Sequence, residues 1–245
     1  MENERIILIT GGASGIGLDC ALSYIKSKAF VIIVDMDNSK GSELERQYNN
    51  QLKYFNCDVS NEDSVKEIFD EIEKKYKRID VLINSAGIVS ANSLLSINSE
   101  VFKKVFMVNT FGTFLFSKYA AKLMIKSKTK GVIVMISSIL GIEGQRGMLS
   151  YSSSKGALNG MTLPMARDLG KYGIRVNTIA PGLIVTPMSE NSLESEGVKI
   201  SINQSPLKML GKPEHITKAI HFIDENKYLN GEILRIDGGV RLPHF

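Results

Sequence analysis

The chain has 245 residues, of which 43% are hydrophobic and 23% charged, as is usual for a globular protein. Its formal net charge of +4 is too small to indicate a nucleic-acid partner by itself, and no apolar run approaches the ~18 residues of a membrane span. Two cysteines without a CxxC spacing, and three histidines confined to the last 31 residues, argue against a disulfide framework and a metal site.

Seven apolar runs of strand length follow one another along the chain, with helical spacing between them. The runs lie at residues 6–9, 30–34, 52–55, 81–83, 132–136, 175–179 and 233–236. After the first run, Ile16, Cys20 and Tyr24 share one helical face. Strands buried on both faces that alternate with helices are typical of an α/β protein with a doubly wound parallel sheet of about seven strands and helices on both faces. No repeat or linker interrupts the pattern, which predicts a single domain over residues 1–245.

The first strand runs into a glycine-rich turn, Thr10-Gly11-Gly12-Ala13-Ser14-Gly15-Ile16-Gly17, and a helical pattern begins at once. Glycines at such a turn allow a sharp backbone reversal and let the chain approach a pyrophosphate on the N-terminal dipole of the helix. A purely structural turn is the alternative, but a strand–turn–helix context is what a dinucleotide site requires. The pattern predicts a Rossmann-type cofactor site that includes Gly11, Gly15 and Gly17.

The second strand ends at Asp35, 18 residues beyond Gly17. A carboxylate at this point can accept hydrogen bonds from the adenosine ribose hydroxyls and would repel a 2′-phosphate. Neither position 14 nor position 36 carries a basic residue that could neutralise such a phosphate. The sequence therefore predicts NAD rather than NADP as the cofactor, whereas a turn residue before Asp37 is the alternative interpretation of Asp35.

Two further strands end in residues suited to a flat ligand. Asp58 follows the third strand, where its carboxylate could meet the adenine amino group or simply form an Asx turn. Small residues that let the backbone pass close to a flat ring follow the fourth strand. They are Asn84, Ser85, Ala86 and Gly87.

Tyr151 and Lys155 open a predicted helix, and their spacing of four residues puts them on one face. A tyrosine with its ordinary pKa of about 10 is a poor base at neutral pH, but a neighbouring ammonium and a cationic nicotinamide ring would favour the phenolate. The pair therefore suits proton exchange with an alcohol or carbonyl oxygen while a hydride moves to or from the cofactor. A surface helical pair is the alternative, because YxxxK also occurs by chance.

Two polar residues accompany this pair. Ser138 follows the apolar strand at residues 132–136, at the edge where the ligand crevice is expected, and could donate a hydrogen bond to the reacting oxygen. Asn109 interrupts an apolar helical stretch at residues 105–116, where a polar amide is expected to have a specific role. A satisfied core amide is its alternative.

Together these motifs make the chain resemble the short-chain dehydrogenase/reductase family over essentially its whole length. The shared features are the TGxxxGxG turn, an Asn-Ser-Ala-Gly segment where the family commonly has Asn-Asn-Ala-Gly, the helix asparagine, a serine 13 residues before the tyrosine, YxxxK and Pro181-Gly182. In that family four such side chains form a proton-relay tetrad. The resemblance assigns the tetrad to Asn109, Ser138, Tyr151 and Lys155.

Within the family the chain resembles the type-2 3-hydroxyacyl-CoA dehydrogenases, also called 17β-hydroxysteroid dehydrogenases type 10. Residues 160–169, 178–183 and 229–238 carry this resemblance, and Thr162-Leu163-Pro164 is the most telling stretch. It implies substrate contacts at Ser138 and Tyr151, and a larger set of cofactor contacts. The cofactor contacts are Ser14, Ile16, Asp35, Asp58, Val59, Ser85, Tyr151, Lys155, Ile184 and Thr186, with Pro181 and Gly182 beside them.

The least regular stretch of the sequence is rich in Ser, Asn and Glu and follows a late strand. Loops of α/β sheets lie over the ligand crevice at such a place, so we predict a substrate lid at about residues 183–212. A plain surface excursion is the alternative, although loops of this length are uncommon in compact domains. The lid matches the resembled dehydrogenases poorly, and it is the segment expected to choose the acyl chain.

The predicted activity is the NAD-dependent interconversion of a secondary alcohol and a ketone, with a 3-hydroxyacyl-CoA thioester as the substrate. A 3-oxoacyl-carrier-protein reductase and a steroid or alcohol dehydrogenase are alternatives of the same fold. A structural or tRNA-processing scaffold subunit is an alternative of another class. Its footprint would be Lys118, Lys122 and Lys126, although lysines at this spacing are more typical of a solvated helix face.

Assembly and location are expected mainly from the resemblance. Small residues after Lys155, such as Gly156 and Gly160, allow close helix–helix approach, and the resemblance implies a homotetramer. It also implies a mitochondrial location, with the cytoplasm as the alternative. The segment at residues 1–5 is short and acidic, unlike a cleavable targeting peptide.

Overall fold

The computed structural model describes residues 4–190, 202 and 205–240. The strands are β1 (Ile6–Thr10), β2 (Phe30–Asp35), β3 (Leu52–Asn56), β4 (Val81–Asn84), β5 (Val132–Ile136), β6 (Arg175–Pro181) and β7 (Ile233–Ile236). The described helices are α1 (Gly15–Lys26), α2 (Asn38–Gln47), α3 (Glu62–Tyr76), α4 (Ser99–Phe106), a π-helix (Met107–Gly112), α5 (Thr113–Lys126), α6 (Leu140–Glu143), α7 (Leu149–Gly170), α8 (Pro187–Glu190) and α9 (Pro213–Glu225). Each predicted strand ends within two residues of its observed bounds.

All seven strands run parallel in one sheet, in the order β3-β2-β1-β4-β5-β6-β7. The predicted doubly wound α/β fold is thus confirmed. In the register, Leu8 of β1 lies beside Ile32 of β2 on one side and beside Leu82 of β4 on the other. The strand order therefore reverses between β1 and β4, and such a switch point opens a crevice at the carboxyl ends of the strands.

Side chains of the central strands alternate between two hydrophobic cores, one on each face of the sheet. Leu8 and Ile32 point into the core formed with α3, α5 and α7. Ile7 and Ile33 point into the core formed with α1 and α9. Because both faces are buried, these strands appear in the sequence as continuous apolar runs rather than as alternating ones.

The helix expected around Asn109 is not regular. Instead of one α-helix, α4 and α5 are joined by the π-helix, so that one turn is wider than in an α-helix. The hydroxyl of Thr113 donates to the carbonyl oxygen of Asn109 at 2.8 Å, and a Cβ on Gly112 would lie only 2.7 Å from a methyl group of Val59. Short π-helical turns are rare and often occur at functional sites.

The two ends of the predicted lid are tied together at its base. The N–H of Val185 donates to the carbonyl oxygen of Gly211 at 2.9 Å, and the N–H of Gly211 donates to Leu183 at 3.0 Å. Helix α8 follows the first of these ends. Residues 191–201 and 203–204, the middle of the predicted lid, lie outside the described residues.

Candidate active site

A cavity of about 840 Å³ opens at the carboxyl edge of the sheet, where the strand order reverses. Most of the residues predicted for the site line it. They are Gly11, Ser14, Gly15, Ile16, Asp35, Asp58, Val59, Ser85, Ala86, Gly87, Ser138, Tyr151, Lys155, Pro181, Gly182, Ile184 and Thr186. Gly17, Asn84 and Asn109 do not belong to this lining, and the two asparagines are buried.

The glycine turn packs too closely for a side chain at two positions. A Cβ on Gly11, which has φ of +67°, would lie 2.8 Å from the backbone of Ala86. A Cβ on Gly17 would lie 2.1 Å from the carbonyl oxygen of Gly11. Ser14, the residue before α1, lines the cavity, and its side chain makes no capping hydrogen bond. A turn of this shape before a helix N-terminus fits a pyrophosphate group.

The carboxylate of Asp35 is held at the rim of the cavity by backbone amides. Its Oδ2 accepts a hydrogen bond from the N–H of Ala13 at 3.0 Å, and its Oδ1 accepts one from Asp37 at 3.1 Å. The next residue along the rim is Met36, whose exposed side chain carries no charge. A fixed negative charge without a neighbouring cation at position 36 disfavours a phosphate at this point.

Asp58 forms a local turn, the alternative interpretation of this residue, and it also lines the cavity. Its Oδ1 accepts hydrogen bonds from the N–H and the hydroxyl of Ser60, at 2.9 and 2.7 Å. This is the Asx turn that the sequence allowed. The turn leaves Asp58 in the cavity lining, next to Val59.

The segment after β4 is held against the glycine turn by Thr10. The hydroxyl of Thr10 accepts hydrogen bonds from the N–H groups of Ser85 and Ala86, both at 3.2 Å. Behind them the buried Asn84 donates to the hydroxyl of Ser117 at 3.1 Å. Thr10 was recognised only as part of a motif, and its role as a clamp between β1 and this segment could not be read from the motif.

Tyr151, Lys155 and Ser138 meet on the other side of the cavity. Ser138 and Tyr151 both line the cavity, and the Ser138 hydroxyl is close enough to affect the pKa of Tyr151. Burial raises the pKa of Tyr151 above its ordinary value, and the hydrogen bond from Ser138 opposes this rise. Lys155 is buried, and burial lowers the pKa of its ammonium group to about 8.

The sequence predicted that the ammonium group of Lys155 is a neighbour of Tyr151, and the structure places it over the tyrosine ring, where it also donates to the backbone. Nζ of Lys155 donates to the carbonyl oxygen of Ile136 at 2.8 Å and lies 5.8 Å from the centre of the Tyr151 ring.

Asn109 is fully buried and acts as a clamp on neighbouring backbone. Its Oδ1 accepts from the N–H of Ile88 at 2.8 Å, and its Nδ2 donates to the carbonyl oxygen of Ile88 at 2.9 Å. The same Nδ2 donates to the hydroxyl of Ser154 at 3.0 Å. The side chain is therefore a satisfied core amide, which joins the segment after β4 to the first turn of α7.

Two serines that the sequence did not single out for the site fix the reactive helix. The hydroxyl of Ser137 donates to the carbonyl oxygen of Lys155 at 2.9 Å, and the hydroxyl of Ser154 donates to the carbonyl oxygen of Tyr151 at 2.8 Å. Both side chains are buried. The available signal was that serines directly adjoin Ser138 and Lys155, but adjacency alone does not say which hydroxyl faces the cavity.

Much of the remaining lining of the cavity is apolar. The apolar lining residues include Val89, Leu140, Met148, Leu183, Met188, Leu207, Met209, Leu210 and Val240. Such a wall suits an aliphatic chain or another apolar group next to the reacting oxygen.

Two further features are missing from the described part of the chain. There, no three His, Cys, Asp or Glu side chains are grouped closely enough to hold a metal ion. None of the helices seen there combines the length and the apolar character that crossing a bilayer requires.

Comparison with known proteins gives consistent results. Residues 5–197 match the family model described as short chain dehydrogenase. The chain is 36% identical over 253 residues to the 3-hydroxyacyl-CoA dehydrogenase type-2 of Drosophila melanogaster, covering 99% of each chain. It is 36% identical over 241 residues to the 3-oxoacyl-[acyl-carrier-protein] reductase of Thermotoga maritima, covering 96% of this chain and 97% of that protein.

A solved structure described as ElxO with NADP bound has a TM-score of 0.88 and 33% identity, over 96% of this chain and 98% of that one. The sequence matches and this structural match each span most of the chain, glycine turn included. The predicted family and enzyme class are thus confirmed. The chain belongs to the short-chain dehydrogenase/reductase family and is an oxidoreductase that uses a nicotinamide cofactor.

Proposed function

We propose that this enzyme interconverts a 3-hydroxyacyl-CoA and a 3-oxoacyl-CoA with NAD as its cofactor. The observation that carries the proposal is the meeting of Tyr151 and Ser138 at a cavity whose opposite rim holds Asp35. The name of the Drosophila melanogaster relative supports the substrate class. The apolar residues of the cavity lining support a substrate with an aliphatic chain.

The residues present fit a nicotinamide dinucleotide. The tight glycine turn would hold the pyrophosphate, Asp35 the adenosine ribose, and the backbone of Ser85 and Ala86 the flat rings. When bound, the cofactor supplies a hydride for reduction and accepts one in oxidation. The protein contributes the position and the proton.

In the reductive direction, the Tyr151 hydroxyl donates its proton to the carbonyl oxygen of the substrate, and Ser138 donates a hydrogen bond to the same oxygen. In oxidation the phenolate of Tyr151 takes the proton back. The ammonium group of Lys155 lies 5.8 Å from the centre of the Tyr151 ring and contacts no carboxylate among the described residues. Its positive charge therefore favours the phenolate through space. Asn109 and Ser154 keep the first turn of α7 in place during both directions.

A 3-oxoacyl-carrier-protein reductase that uses NADPH is the main alternative. The relative from Thermotoga maritima and the neighbour with NADP bound favour it. Against it stands Asp35, whose fixed carboxylate would face a 2′-phosphate without a basic residue at position 36. A steroid or alcohol dehydrogenase is a further alternative that the apolar wall also suits.

The scaffold alternative receives less support. Lys118 forms an ion pair with Glu62 at 2.9 Å, and Lys126 pairs with Glu73. Two of the three lysines are therefore neutralised by α3, as on an ordinary solvated face.

We also propose that the chain forms a homotetramer and acts in mitochondria, with the cytoplasm as the alternative location. The exposed apolar side chains of Leu163, Phe222 and Tyr228 support self-association. Light scattering should give about four times the 27.0 kDa mass of one chain. Cell fractionation tests the location, and a purely cytosolic signal would remove the mitochondrial proposal.

A substrate screen with the purified protein tests the function. We expect acetoacetyl-CoA and longer 3-oxoacyl-CoAs to be reduced with NADH more efficiently than with NADPH. Acetoacetyl thioesters of a carrier protein and 17-ketosteroids serve as competing substrates. Preference for NADPH together with the carrier-protein substrate would replace the proposed function with that of a carrier-protein reductase.

A further inference from the structure

Ser138 is followed almost directly by α6, a helix of only four residues. The N–H of Leu140 donates to the Ser138 hydroxyl at 3.1 Å, and the N–H of Gly141 donates to the Ser138 carbonyl oxygen at 3.0 Å. A single helical turn is not stable by itself. The direction of the Ser138 hydroxyl therefore depends on what holds α6.

The beginning of α6 rests on α7. A Cβ on Gly141 would lie 2.7 Å from the carbonyl carbon of Lys155, so the two backbones are in close contact. The side-chain amide of Asn159 donates to the Gly141 carbonyl oxygen at 3.0 Å. These contacts fix the first half of the turn next to the reactive helix.

The end of α6 is held from β7 by Arg235. Its Nη1 donates to Oε1 of Glu143 at 2.5 Å, and these two side chains are only 21% and 11% exposed. Through Nε the same guanidinium donates to Asp237 at 3.0 Å, and through Nη2 to the carbonyl oxygen of Val240 at 3.0 Å. Burial lowers the pKa of Arg235, but the hydrogen bonds to Glu143 and Asp237 raise it by more, so the group remains charged.

One planar cation thus joins two carboxylates from different parts of the chain. Leu140 on α6 and Asp237, Gly238 and Val240 after β7 all line the cavity. We propose that Arg235 is a positioning residue that fixes Ser138 and this wall of the cavity, a role in catalysis that rests on the proposed dehydrogenase function.

The physical reason is the loss of a tether. Replacing Arg235 by an uncharged residue removes the hydrogen bonds through which one guanidinium joins Glu143 of α6 to Asp237 and to the Val240 carbonyl oxygen after β7. A helix of a single turn does not keep its position without such contacts. The Ser138 hydroxyl then loses its fixed direction, whereas the glycine turn and Asp35 lie on the other half of the sheet and are unaffected.

Three variants test this role. Arg235→Met removes the cation and keeps the length of the side chain, and Arg235→Lys keeps the charge. Arg78→Met is the matched control, because Arg78 pairs with Asp80 just before β4, at the amino ends of the strands and away from the cavity. With acetoacetyl-CoA and NADH, we expect Arg235→Met to lower kcat about 10- to 100-fold, as displaced catalytic groups do. The Kd for NADH should change less than about twofold, Arg235→Lys should recover most of the rate, and Arg78→Met should be near normal.

A double-mutant cycle shows whether Arg235 acts through Ser138. In a Ser138→Ala background, Arg235→Met should lower kcat by only a small further factor, because the group it positions is already absent. Fully multiplicative losses, or an equal loss in Arg78→Met, would overturn the positioning role.

Hydrogen exchange provides a readout that needs no activity. In the protein without ligands, amides of residues 139–144 should exchange faster in Arg235→Met than in the unmodified chain, and at the normal rate in Arg78→Met. If the unmodified protein reduces no 3-oxoacyl-CoA, the proposed function fails while this measurement still tests the link from Arg235 to α6. Unchanged exchange in Arg235→Met would overturn the inference.

Discussion

A tyrosine lies near a cation at both ends of the parallel strands, which we call the amino edge and the carboxyl edge of the sheet. Only the pair at the carboxyl edge is arranged for chemistry. At the amino edge the Tyr24 hydroxyl donates to Asp224 at 3.0 Å. Arg5 donates two hydrogen bonds to the same carboxylate, at 2.7 and 2.8 Å. Every charged group in this cluster faces an opposite charge, and the cluster joins α1, α9 and the start of β1.

At the carboxyl edge the arrangement is different. Tyr151 meets an uncharged hydroxyl, that of Ser138, and Lys155 donates to a backbone carbonyl. Burial lowers the pKa of Lys155 to about 8, since no carboxylate contact offsets the loss of solvent among the described residues. For Tyr24, burial and the neighbouring Asp224 both raise the pKa.

The comparison teaches that burial alone does not mark a reactive tyrosine. Tyr24 is buried next to a negative charge, so its phenolate is disfavoured and it acts as a structural donor. Tyr151 lines a cavity, next to the Ser138 hydroxyl and to the ammonium group of Lys155, which contacts no carboxylate in the described part of the chain. A buried charge without a partner lowers stability, and proteins keep such groups mainly where function requires them.

Replacing Lys155 should have a large effect on turnover. Lys155→Met should lower kcat about 10³-fold, because the phenolate loses its cation. The same variant should be more stable at pH 7 by about 1–3 kcal/mol, since an apolar side chain replaces a buried ammonium group. Steady-state kinetics and urea unfolding measure the two effects, and a destabilised variant would contradict the account of Lys155.

The stability gain should depend on pH with a definite sign. Because the pKa of Lys155 is lowered to about 8 in the folded chain, the unfolded chain binds more protons between about pH 8 and 10. Below about pH 8, Lys155 therefore lowers the free energy of unfolding of the unmodified protein by its full amount. This penalty is lost as the pH rises from about 8 to about 10. The difference in unfolding free energy between Lys155→Met and the unmodified protein should shrink accordingly.

Cofactor choice tests another charge at the carboxyl edge. Asp35→Ser with Met36→Arg should shift the ratio of kcat/KM values from NADH towards NADPH by about 10- to 100-fold, because a repulsive carboxylate is replaced by an attractive cation. Asp37→Ser with an unchanged Asp35 is a matched control. Better turnover of NADPH by the unmodified enzyme would show that Asp35 was misinterpreted.

The smallest expected effect on turnover comes from the amino edge. Asp224→Asn should lower the free energy of unfolding by about 2–3 kcal/mol, because Arg5 and Tyr24 lose their charged partner. Turnover at 25 °C should stay within about twofold of normal, since this cluster lies at the opposite edge from the cavity. A large fall in kcat without unfolding would break the proposed division between the two edges.

The sequence predicted the fold well because the strongest signals were local. Seven apolar runs and the glycine turn are each legible within a few residues, and parallel strands buried on both faces leave little choice of architecture. The spacing of Tyr151 and Lys155 likewise follows from helix geometry.

What the sequence did not predict depends on side-chain direction and on distant partners. The π-helix around Asn109 and the hydrogen bond from Lys155 to Ile136 both depend on how helices pack on the sheet. The link between Glu143 and Arg235 joins residues that are far apart in the chain. No periodicity in the sequence reports such a pairing.

The most direct test compares Tyr151→Phe with Tyr24→Phe, since each variant loses only one tyrosine hydroxyl group. Tyr151→Phe should bind NADH nearly normally but lose about 10²- to 10⁴-fold in kcat, because the proton donor is absent. Tyr24→Phe should keep its kcat and lose about 1–3 kcal/mol of stability, because Asp224 loses a hydrogen bond. A Tyr151→Phe protein with normal NADH binding and near-normal kcat would contradict the central claim that this tyrosine exchanges the proton.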